Sequence, residues 1–252
     1  MSRPFVSVVT PTYNRRRFLP ILIHQFKQQT YPAERMELII LDDSPTSNED
    51  LISKNDKNIR YIYEPIKMKL GEKRNKLNEL AKGDIIVCFD DDDYHYPERV
   101  THSVYKLNQD KVDIAGCTCI DIYFTDIDKI YKFGPYGRNH GTNGTFAYRR
   151  KYFENHKHDN NKNAQEEPEF TNNWTERMVN LDETKTILCI SHDSNTFDKR
   201  NLIKQNQSKT EVGLKLNKII RDKKYLEFLK ELSKDMKTSK LVENIQNIEL
   251  KN

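Results

Sequence analysis

The chain has 252 residues, of which 36% are hydrophobic and 32% are charged. That length fits one domain or one domain with an appendage, and 11 Phe and 13 Tyr provide enough apolar surface to exclude wholesale disorder. No uncharged apolar stretch approaches the ~18 residues of a membrane helix, and the amino terminus lacks a signal-peptide pattern. We therefore expect a cytoplasmic protein with no membrane span.

The net charge of +4 is concentrated near the carboxyl terminus. Residues 201–252 hold 12 Lys and Arg against 7 Asp and Glu, so this segment carries +5 and the first 200 residues carry −1. We expect a solvated basic tail that serves in a homodimer or in peripheral association with a partner or a membrane surface. Only Tyr225 and Phe228 could stack on bases there, so nucleic acid is not an expected partner.

Residues 1–108 show a regular alternation of strand and helix patterns. Strands are expected where apolar residues alternate or run uninterrupted, and helices where they recur with a period of 3.6 residues. The predicted strands cover 5–10, 38–41, 59–63 and 85–89, and the predicted helices cover 16–29, 48–54, 71–81 and 98–108. Pro11 is expected to end the first strand. This order predicts an open, mostly parallel sheet with helices on both faces.

The pattern changes after residue 108. Short segments with Gly, Asn and Tyr turns predict mixed or antiparallel strands over 112–149. We then expect a mobile Asn/His/Lys-rich loop over 154–165, a helix over 166–180 and a strand over 186–190. Residues 201–252 show helical periodicity twice and predict a basic helical extension.

Polar clusters follow three of the predicted parallel strands. They are Pro11 to Asn14, Asp42 to Ser44, and Asp90 to Asp93. Ligands bind at the carboxyl ends of strands in open α/β sheets, so the shared location indicates a binding site.

The run Asp90 to Asp93 is the most informative of the three clusters. Adjacent carboxylates repel one another and raise each other's pKa unless a cation intervenes. Mg²⁺ takes carboxylate oxygens, water and phosphate oxygens, and a metal ion can neutralise the charge that grows on a departing diphosphate. The alternative is a solvated acidic turn.

Two further pairs have binding and structural interpretations. Asp42 and Asp43 can accept hydrogen bonds from a base or a ribose, or they can cap a turn with Ser44. Lys73 and Arg74 lie at the start of a predicted helix, where Arg can pair with phosphate oxygens, or they can form surface ion pairs.

Four motifs in order resemble family 2 glycosyltransferases of the GT-A fold. They are Val8 to Arg15, Leu41 to Ser44, Gly71 to Asn75, and Gly83 to Asp93, followed by a matching Pro97-Glu98-Arg99. The resemblance is strong over 5–108 and weaker to about 200. It implies an α/β GT-A (Rossmann-like) open mixed sheet flanked by helices, with a C-terminal helical extension. The implied domain covers 1–200, divided into a nucleotide-sugar-binding half (1–108) and an acceptor half (109–200), before the extension (201–252).

The resemblance also implies an activity. It is metal-dependent, inverting transfer of a sugar from a nucleotide sugar, expected to be UDP-linked, to a hydroxyl of a glycan or protein acceptor, with Mn²⁺ or Mg²⁺ as cofactor. One alternative is a sugar nucleotidyltransferase, although Thr10 to Tyr13 lacks the glycine of such loops. Another is a non-catalytic nucleotide-sugar-binding or glycan-binding module, because fold does not determine function.

Site roles follow from the matched positions. The resemblance implies that Asp43 contacts the uracil or ribose and that Arg74 lies near the diphosphate. Asp90-x-Asp92 resembles the DxD motif of the family. Asp92 is therefore the favoured metal ligand, with Asp90 and His192 as further ligands, although His192 is alternatively a polar loop residue. The implied nucleotide-sugar-binding residues are Pro11, Thr12, Tyr13, Asn14, Arg15, Asp42, Asp43, Lys73, Arg74, Asp90, Asp91 and Asp93.

An inverting enzyme needs a carboxylate base on the acceptor hydroxyl, in line with the leaving diphosphate. The family often places a Glu-Asp pair at the head of a helix, and the matching residues here are Glu166 and Glu167. Glu167 is the implied base and Glu166 the next candidate, unless both are first-turn acids stabilised by the helix dipole. Asn143 and Gly144 are implied near the acceptor, and Trp174 either stacks on a sugar or fills the core.

Overall fold

The computed structural model describes residues 3–204 and 209–235. The chain divides into two compact units, Met1–Ile120 with Gly134–Leu188, and Asp121–Phe133 with Cys189–Asn252. The strands are β1 Val6–Thr12, β2 Met36–Asp42, β3 Ile59–Tyr63, β4 Ile85–Cys88, β5 Tyr94–His95, β6 Ile114–Gly116, β7 Ile120–Phe124, β8 Lys129–Phe133, β9 Ala147–Arg149, β10 Met178–Asn180, β11 Ile187–Ser191 and β12 Lys209–Glu211. The helices are α1 Leu19–Lys27, α2 Leu70–Leu80, α3 Arg99–Asp110, α4 Arg150–Asn155, α5 Glu167–Phe170, α6 Arg200–Lys204, α7 Leu216–Ile219 and α8 over 223–235.

A mixed sheet forms the centre of the first unit. Over the described ranges it has seven strands in the order β10-β6-β9-β4-β1-β2-β3. Strands β1 to β4 run parallel, whereas β9 runs antiparallel to β4 and β6. In the register of the parallel strands Thr12 lies beside Asp42, and Asp42 beside Tyr63. The predicted open mixed sheet is confirmed, and β1, β2 and β3 end level with one another.

Both faces of this sheet are buried, which explains the continuous apolar runs of β2 and β4. Leu38 and Ile40 pack on one face with residues of α1 and α3. Ile39 and Leu41 pack on the other face with Leu77 of α2. The alternation follows from the period of two in a strand, so one apolar segment fills two cores.

The second unit contains strands neighbouring in the order β12-β8-β7-β11, and β12 pairs antiparallel with β8. In α8, Tyr225, Leu229 and Leu232 are buried at spacings of four and three residues, as the helical pattern predicts. Strand β12 was not predicted within the helical extension. Residues 205–208 and 236–252 of the predicted extension lie outside the described residues.

Several predicted boundaries are wrong. Strand β1 continues through Pro11 to Thr12. Proline has no backbone N–H, but β4 pairs with β1 only as far as Val9. Pro11 therefore faces no neighbouring strand on that side that would need its N–H. The helix predicted over 48–54 is a single 3₁₀ turn at Glu49–Leu51. Part of the predicted loop over 154–165 belongs to α4.

The helix predicted over 166–180 is also wrong. Helix α5 ends at Phe170, and the next residues include Asn172, Asn173 and Trp174 with φ of 48°, 53° and 64°. A left-handed backbone cannot continue a right-handed helix. The chain then enters β10.

No helix within 3–204 and 209–235 combines the length and apolar character needed to cross a bilayer.

Replacement of Gly83 by Ala is expected to destabilise the fold. A Cβ there would lie 2.4 Å from the backbone N of Ser7 and 2.6 Å from the backbone O of Ile85. Neither backbone atom can move without disturbing β1 or β4, so we expect a loss of about 1–3 kcal/mol in the free energy of unfolding. Urea denaturation followed by circular dichroism measures it. The neighbouring exposed control, Lys82→Ala, should change stability by about 0.5 kcal/mol or less, and equal midpoints for the two variants would contradict the prediction.

Candidate active site

The carboxyl ends of β1 and β4 are joined by a direct contact. The hydroxyl of Thr12 donates a hydrogen bond to Oδ2 of Asp91 at 2.5 Å. The polar clusters that follow these two strands therefore lie together at one edge of the sheet.

Asp42, the last residue of β2, is fully buried. Its carboxylate accepts hydrogen bonds from the backbone N–H of Ser44 at 2.9 Å, the amide of Asn48 at 2.7 Å and the hydroxyl of Tyr61 at 2.7 Å. Ser44 Oγ in turn accepts the N–H of Asn14 at 2.8 Å. Asp42 thus supports the loops beneath the site, and its role in nucleotide-sugar binding stays a prediction.

Asp43 is held between a cation and a backbone amide. It pairs with the ammonium of Lys73, and its Oδ2 accepts the N–H of Met68 at 2.7 Å. Lys73 also donates to the carbonyl of Thr12 at 3.0 Å. Burial lowers the pKa of Lys73, although Asp43 opposes this effect. The half-buried ring of Tyr13 lies beside them, with Nζ of Lys67, which the sequence analysis missed, 4.0 Å from its centre.

The four carboxylates after β4 differ in their surroundings. Asp91 and Asp92 lie 3.8 Å and 3.6 Å from the guanidinium of Arg15. Burial and then the charge of Asp92 raise the pKa of Asp91. Asp93 is buried, whereas the side chain of Asp90 is 30% exposed. No group of three Asp, Glu, His or Cys side chains in the described ranges is arranged as a metal cage.

Arg74 of α2 links the acidic run to the predicted base pair. Its Nη2 donates to Asp90 at 3.2 Å and its Nε to Glu166 at 2.7 Å. Burial opposes the charge of this guanidinium, but Glu166 and Asp90 together raise the pKa of Arg74. The structure therefore brings Arg74, the residue implied near the diphosphate, into contact with Glu166, one of the two candidate bases for the acceptor.

The turn containing Asn143 and Gly144 packs on Asp90. A Cβ at Gly144 would lie 2.4 Å from Oδ2 of Asp90, so a larger residue there would require that carboxylate to move. Behind the turn lies Arg99, which is fully buried and donates to the carbonyl of Phe146 at 3.0 Å. Burial lowers the pKa of Arg99 to about 10. The turn is thus fixed from both sides.

The two candidate bases have different environments. Although burial favours the neutral acid, Arg74 lowers the pKa of Glu166. Oε1 of Glu167 instead accepts the backbone N–H of Asn143 at 3.1 Å. Burial and then the charge of Glu166 raise the pKa of Glu167. Glu167 is therefore the better proton acceptor of the pair.

His158 was missed by the sequence analysis because it lies in the segment interpreted as a loop. The side chain of Asn75 accepts the N–H of His158 at 2.9 Å and donates to its carbonyl at 2.8 Å. The ring stacks on Phe170 and lies 3.3 Å from both the carbonyl of Glu166 and the side-chain amide of Asn143. The one indication of this contact in the sequence was its partner Asn75, which belongs to the Gly71–Asn75 motif.

Two further predicted residues have other contacts. His192 belongs to the second unit, where Nδ1 lies 3.2 Å from the N–H of Ser194 and Nε2 lies 3.0 Å from the side-chain amide of Asn195. Its metal-binding role stays a prediction. Trp174 is half-buried, and its ring stacks on His140 with centroids 4.1 Å apart.

Curated relatives align with part of this chain. The Escherichia coli protein WcaA, provisionally named a colanic acid biosynthesis glycosyl transferase, is 35% identical over 104 residues, which make up 40% of this chain and 37% of that protein. The glycosyltransferase GlyG of Streptococcus pneumoniae is 29% identical over 110 residues, or 42% of this chain and 36% of that protein. The chain thus spans little more than a third of the length of these relatives.

Solved structures show the same fold. Staphylococcus aureus TarS 1–349 in complex with UDP-GlcNAc superposes with a TM-score of 0.61 and 18% identity, over 76% of this chain and 60% of that one. The mannosyltransferase PcManGT of Pyrobaculum calidifontis, in complex with GDP-Man and Mn²⁺, gives a TM-score of 0.60 and 17% identity over 81% and 61%. These likenesses confirm the predicted GT-A fold.

The family model described as glycosyl transferase family 2 matches residues 7–191. That range contains the joined ends of β1 and β4, the bridge through Arg74 and both candidate bases. The chain belongs to glycosyl transferase family 2.

Proposed function

We propose that the chain transfers a sugar from a nucleotide sugar, expected to be UDP-linked, to an acceptor hydroxyl with inversion at the anomeric carbon. The observation that carries this proposal is the position of Arg74 between Asp90, after β4, and Glu166, beside Glu167. A diphosphate site and a general base then lie side by side. A single in-line displacement requires that arrangement.

The donor contacts would come from the edge of the sheet where β1 ends. Thr12, Tyr13 and Asp43 would line the nucleoside pocket, next to Pro11 and Asn14, and Asp93 would support the acidic loop. Arg15, Lys73 and Arg74 supply the positive charge that a diphosphate requires, and each is already held near a carboxylate. Complexes of the structural neighbours with UDP-GlcNAc and GDP-Man support a nucleotide-sugar donor.

The acidic loop fits a divalent cation. Asp92 and Asp90 would hold Mn²⁺ or Mg²⁺ as hard oxygen ligands, while His192 stays a further candidate. Such ions keep water and take phosphate oxygens, so two protein carboxylates are sufficient. When bound, the ion neutralises the charge that develops on the leaving diphosphate. The complex of PcManGT with Mn²⁺ supports this assignment.

Glu167 would act as the base. Its carboxylate accepts the acceptor's hydroxyl proton while that oxygen attacks the anomeric carbon and the bond to the diphosphate oxygen breaks. The N–H of Asn143 orients the carboxylate, and Asn143 and Gly144 would face the acceptor. Glu166, held ionised by Arg74, would keep the proton affinity of Glu167 high.

Loss of the Asp92 carboxylate should remove both metal-dependent donor binding and transfer. We expect Asp92→Ala to lower the rate of UDP release from UDP-sugars by about 10²- to 10³-fold and to abolish the Mn²⁺-dependent affinity for UDP in calorimetry. The circular dichroism spectrum should not change. Glu154→Ala, which removes an exposed carboxylate on α4, should bind and react as the unmodified protein does. Full activity of Asp92→Ala would refute the metal assignment.

Replacement of Glu167 by Gln should separate binding from chemistry. The amide keeps the size of the side chain but cannot accept the proton, so we expect the transfer rate to fall by about 10²- to 10⁴-fold with unchanged donor affinity. The matched control is Glu169→Gln, an exposed acid of the same helix, which should retain the rate. If Glu167→Gln retains its rate, the base lies elsewhere and Glu166 is tested next.

The pH profile should report the environment of Glu167. A base acts only when deprotonated, so the rate falls as the pH falls through its pKa. Burial and Glu166 raise that pKa above the ordinary value of 4.5, and the acidic limb of kcat should lie above pH 4.5. In Glu166→Gln the neighbouring charge is gone, and the limb should move to lower pH. A limb at the same pH in both proteins would contradict the assignment.

A further inference from the structure

Three aromatic side chains lie in series in the first unit. The rings of Tyr136 and His140 have centroids 5.3 Å apart, and those of His140 and Trp174 are stacked at 4.1 Å. Tyr136 is 37% exposed, and the other two rings are half-buried. We call these three residues the aromatic stack.

The fold holds Trp174 against its backbone preference. Its φ is 64°, a left-handed conformation that Asn tolerates but a bulky side chain rarely adopts. The hydroxyl of Thr171 accepts its N–H at 3.3 Å, and the side-chain amide of Asn139 donates to its carbonyl at 3.5 Å. Such conformations persist where the surroundings impose them, and they cluster at active sites and ligand clamps.

The aromatic stack is tied to the base through both of its segments. His140 precedes Asn143 by three residues, at most about 11 Å of extended chain, and the N–H of Asn143 binds the carboxylate of Glu167. On the other segment, the hydroxyl of Thr171 donates to the carbonyl of Glu167 at 2.8 Å. A ligand on the stack would therefore contact residues of the two segments that hold the base.

The chemistry of the stack favours a carbohydrate ring. Aromatic faces pack against apolar C–H surfaces, while the edges of Tyr and Trp provide polar groups. Burial lowers the pKa of His140 below its ordinary 6.5, so its ring is uncharged at pH 7. A pyranose has one apolar C–H face and polar hydroxyls at its rim, which matches such a surface.

We propose that Tyr136, His140 and Trp174 form a platform that binds a pyranose ring of the acceptor, so that the acceptor is a glycan and not a protein side chain. The assignment of this ring to the acceptor rests on the proposed function. The binding of a sugar ring to the stack can be measured without any turnover.

Trp174 is the only tryptophan in the sequence, so intrinsic fluorescence reports directly on the aromatic stack. The full chain is titrated with methyl β-D-glucopyranoside, methyl β-D-galactopyranoside and methyl N-acetyl-β-D-glucosaminide, with and without UDP and Mn²⁺. We expect at least one glycoside to change the emission saturably, with a roughly millimolar Kd, and to protect Trp174 from acrylamide quenching. Sorbitol, which has hydroxyls but no ring face, should do neither.

Variants that keep Trp174 test the other two rings. Tyr136→Ala and His140→Ala should weaken glycoside binding about three- to tenfold, whereas His140→Phe, which retains an aromatic ring, should bind within about twofold of the unmodified protein. Tyr105→Ala, which removes a tyrosine 59% exposed on α3, is the control and should change nothing.

The platform is refuted if no glycoside affects the emission, if sorbitol acts as well as the glycosides, or if a serine-containing peptide does so instead. Release of UDP from nucleotide sugars is measured separately. A protein that releases UDP but does not respond to glycosides refutes the platform alone. One that responds to glycosides but turns over no nucleotide sugar refutes the proposed function alone.

Discussion

The site depends on the neutralisation of one buried guanidinium. Arg74 is 8% exposed, and an uncompensated charge at that depth would strongly destabilise the fold. Its two carboxylate partners come from distant parts of the chain, Asp90 after the fourth strand and Glu166 before a short helix. Because both must reach the same side chain, the end of the sheet and the segment that carries the candidate base are held within one set of ion pairs.

The remaining parts of the site are arranged around this cluster with little spare volume. The turn at Gly144 approaches the carboxylate of Asp90 so closely that an added methyl group would displace that carboxylate. Buried Arg99 supports the same turn by donating hydrogen bonds to the backbone carbonyls of Gly144 and Phe146. Burial disfavours the charge of Arg99 and lowers its pKa, and the nearby carboxylate of Asp90 opposes this effect only in part. Cations on both sides of the acidic loop therefore offset its crowded negative charge.

Much of the fold could be predicted from the sequence because parallel strands that are buried on both faces produce unmistakable apolar runs, as in β2 and β4. The end of the short helix after Glu166 was missed, although Asn172 and Asn173 are residues that tolerate the left-handed conformation. The same conformation at Trp174 has no such signal in the sequence. Asp42 illustrates the limit for the site. The sequence places it at a strand end beside Asp43, but only the structure shows that Asn48 and Tyr61 occupy its carboxylate. His158 was missed because it lies in a segment interpreted as a loop, and because its partner Asn75 is 83 residues away in the sequence.

The neutral imidazole beneath the site has a consequence for any solution study. Burial lowers the pKa of His158 to about 3, so its contacts with Asn143 and with the carbonyl of Glu166 keep one protonation state across the range in which enzymes are assayed. The part of the scaffold that contains this imidazole therefore keeps its hydrogen bonds as the pH changes. A titration seen between pH 5 and 8 belongs to other groups of the site and not to His158.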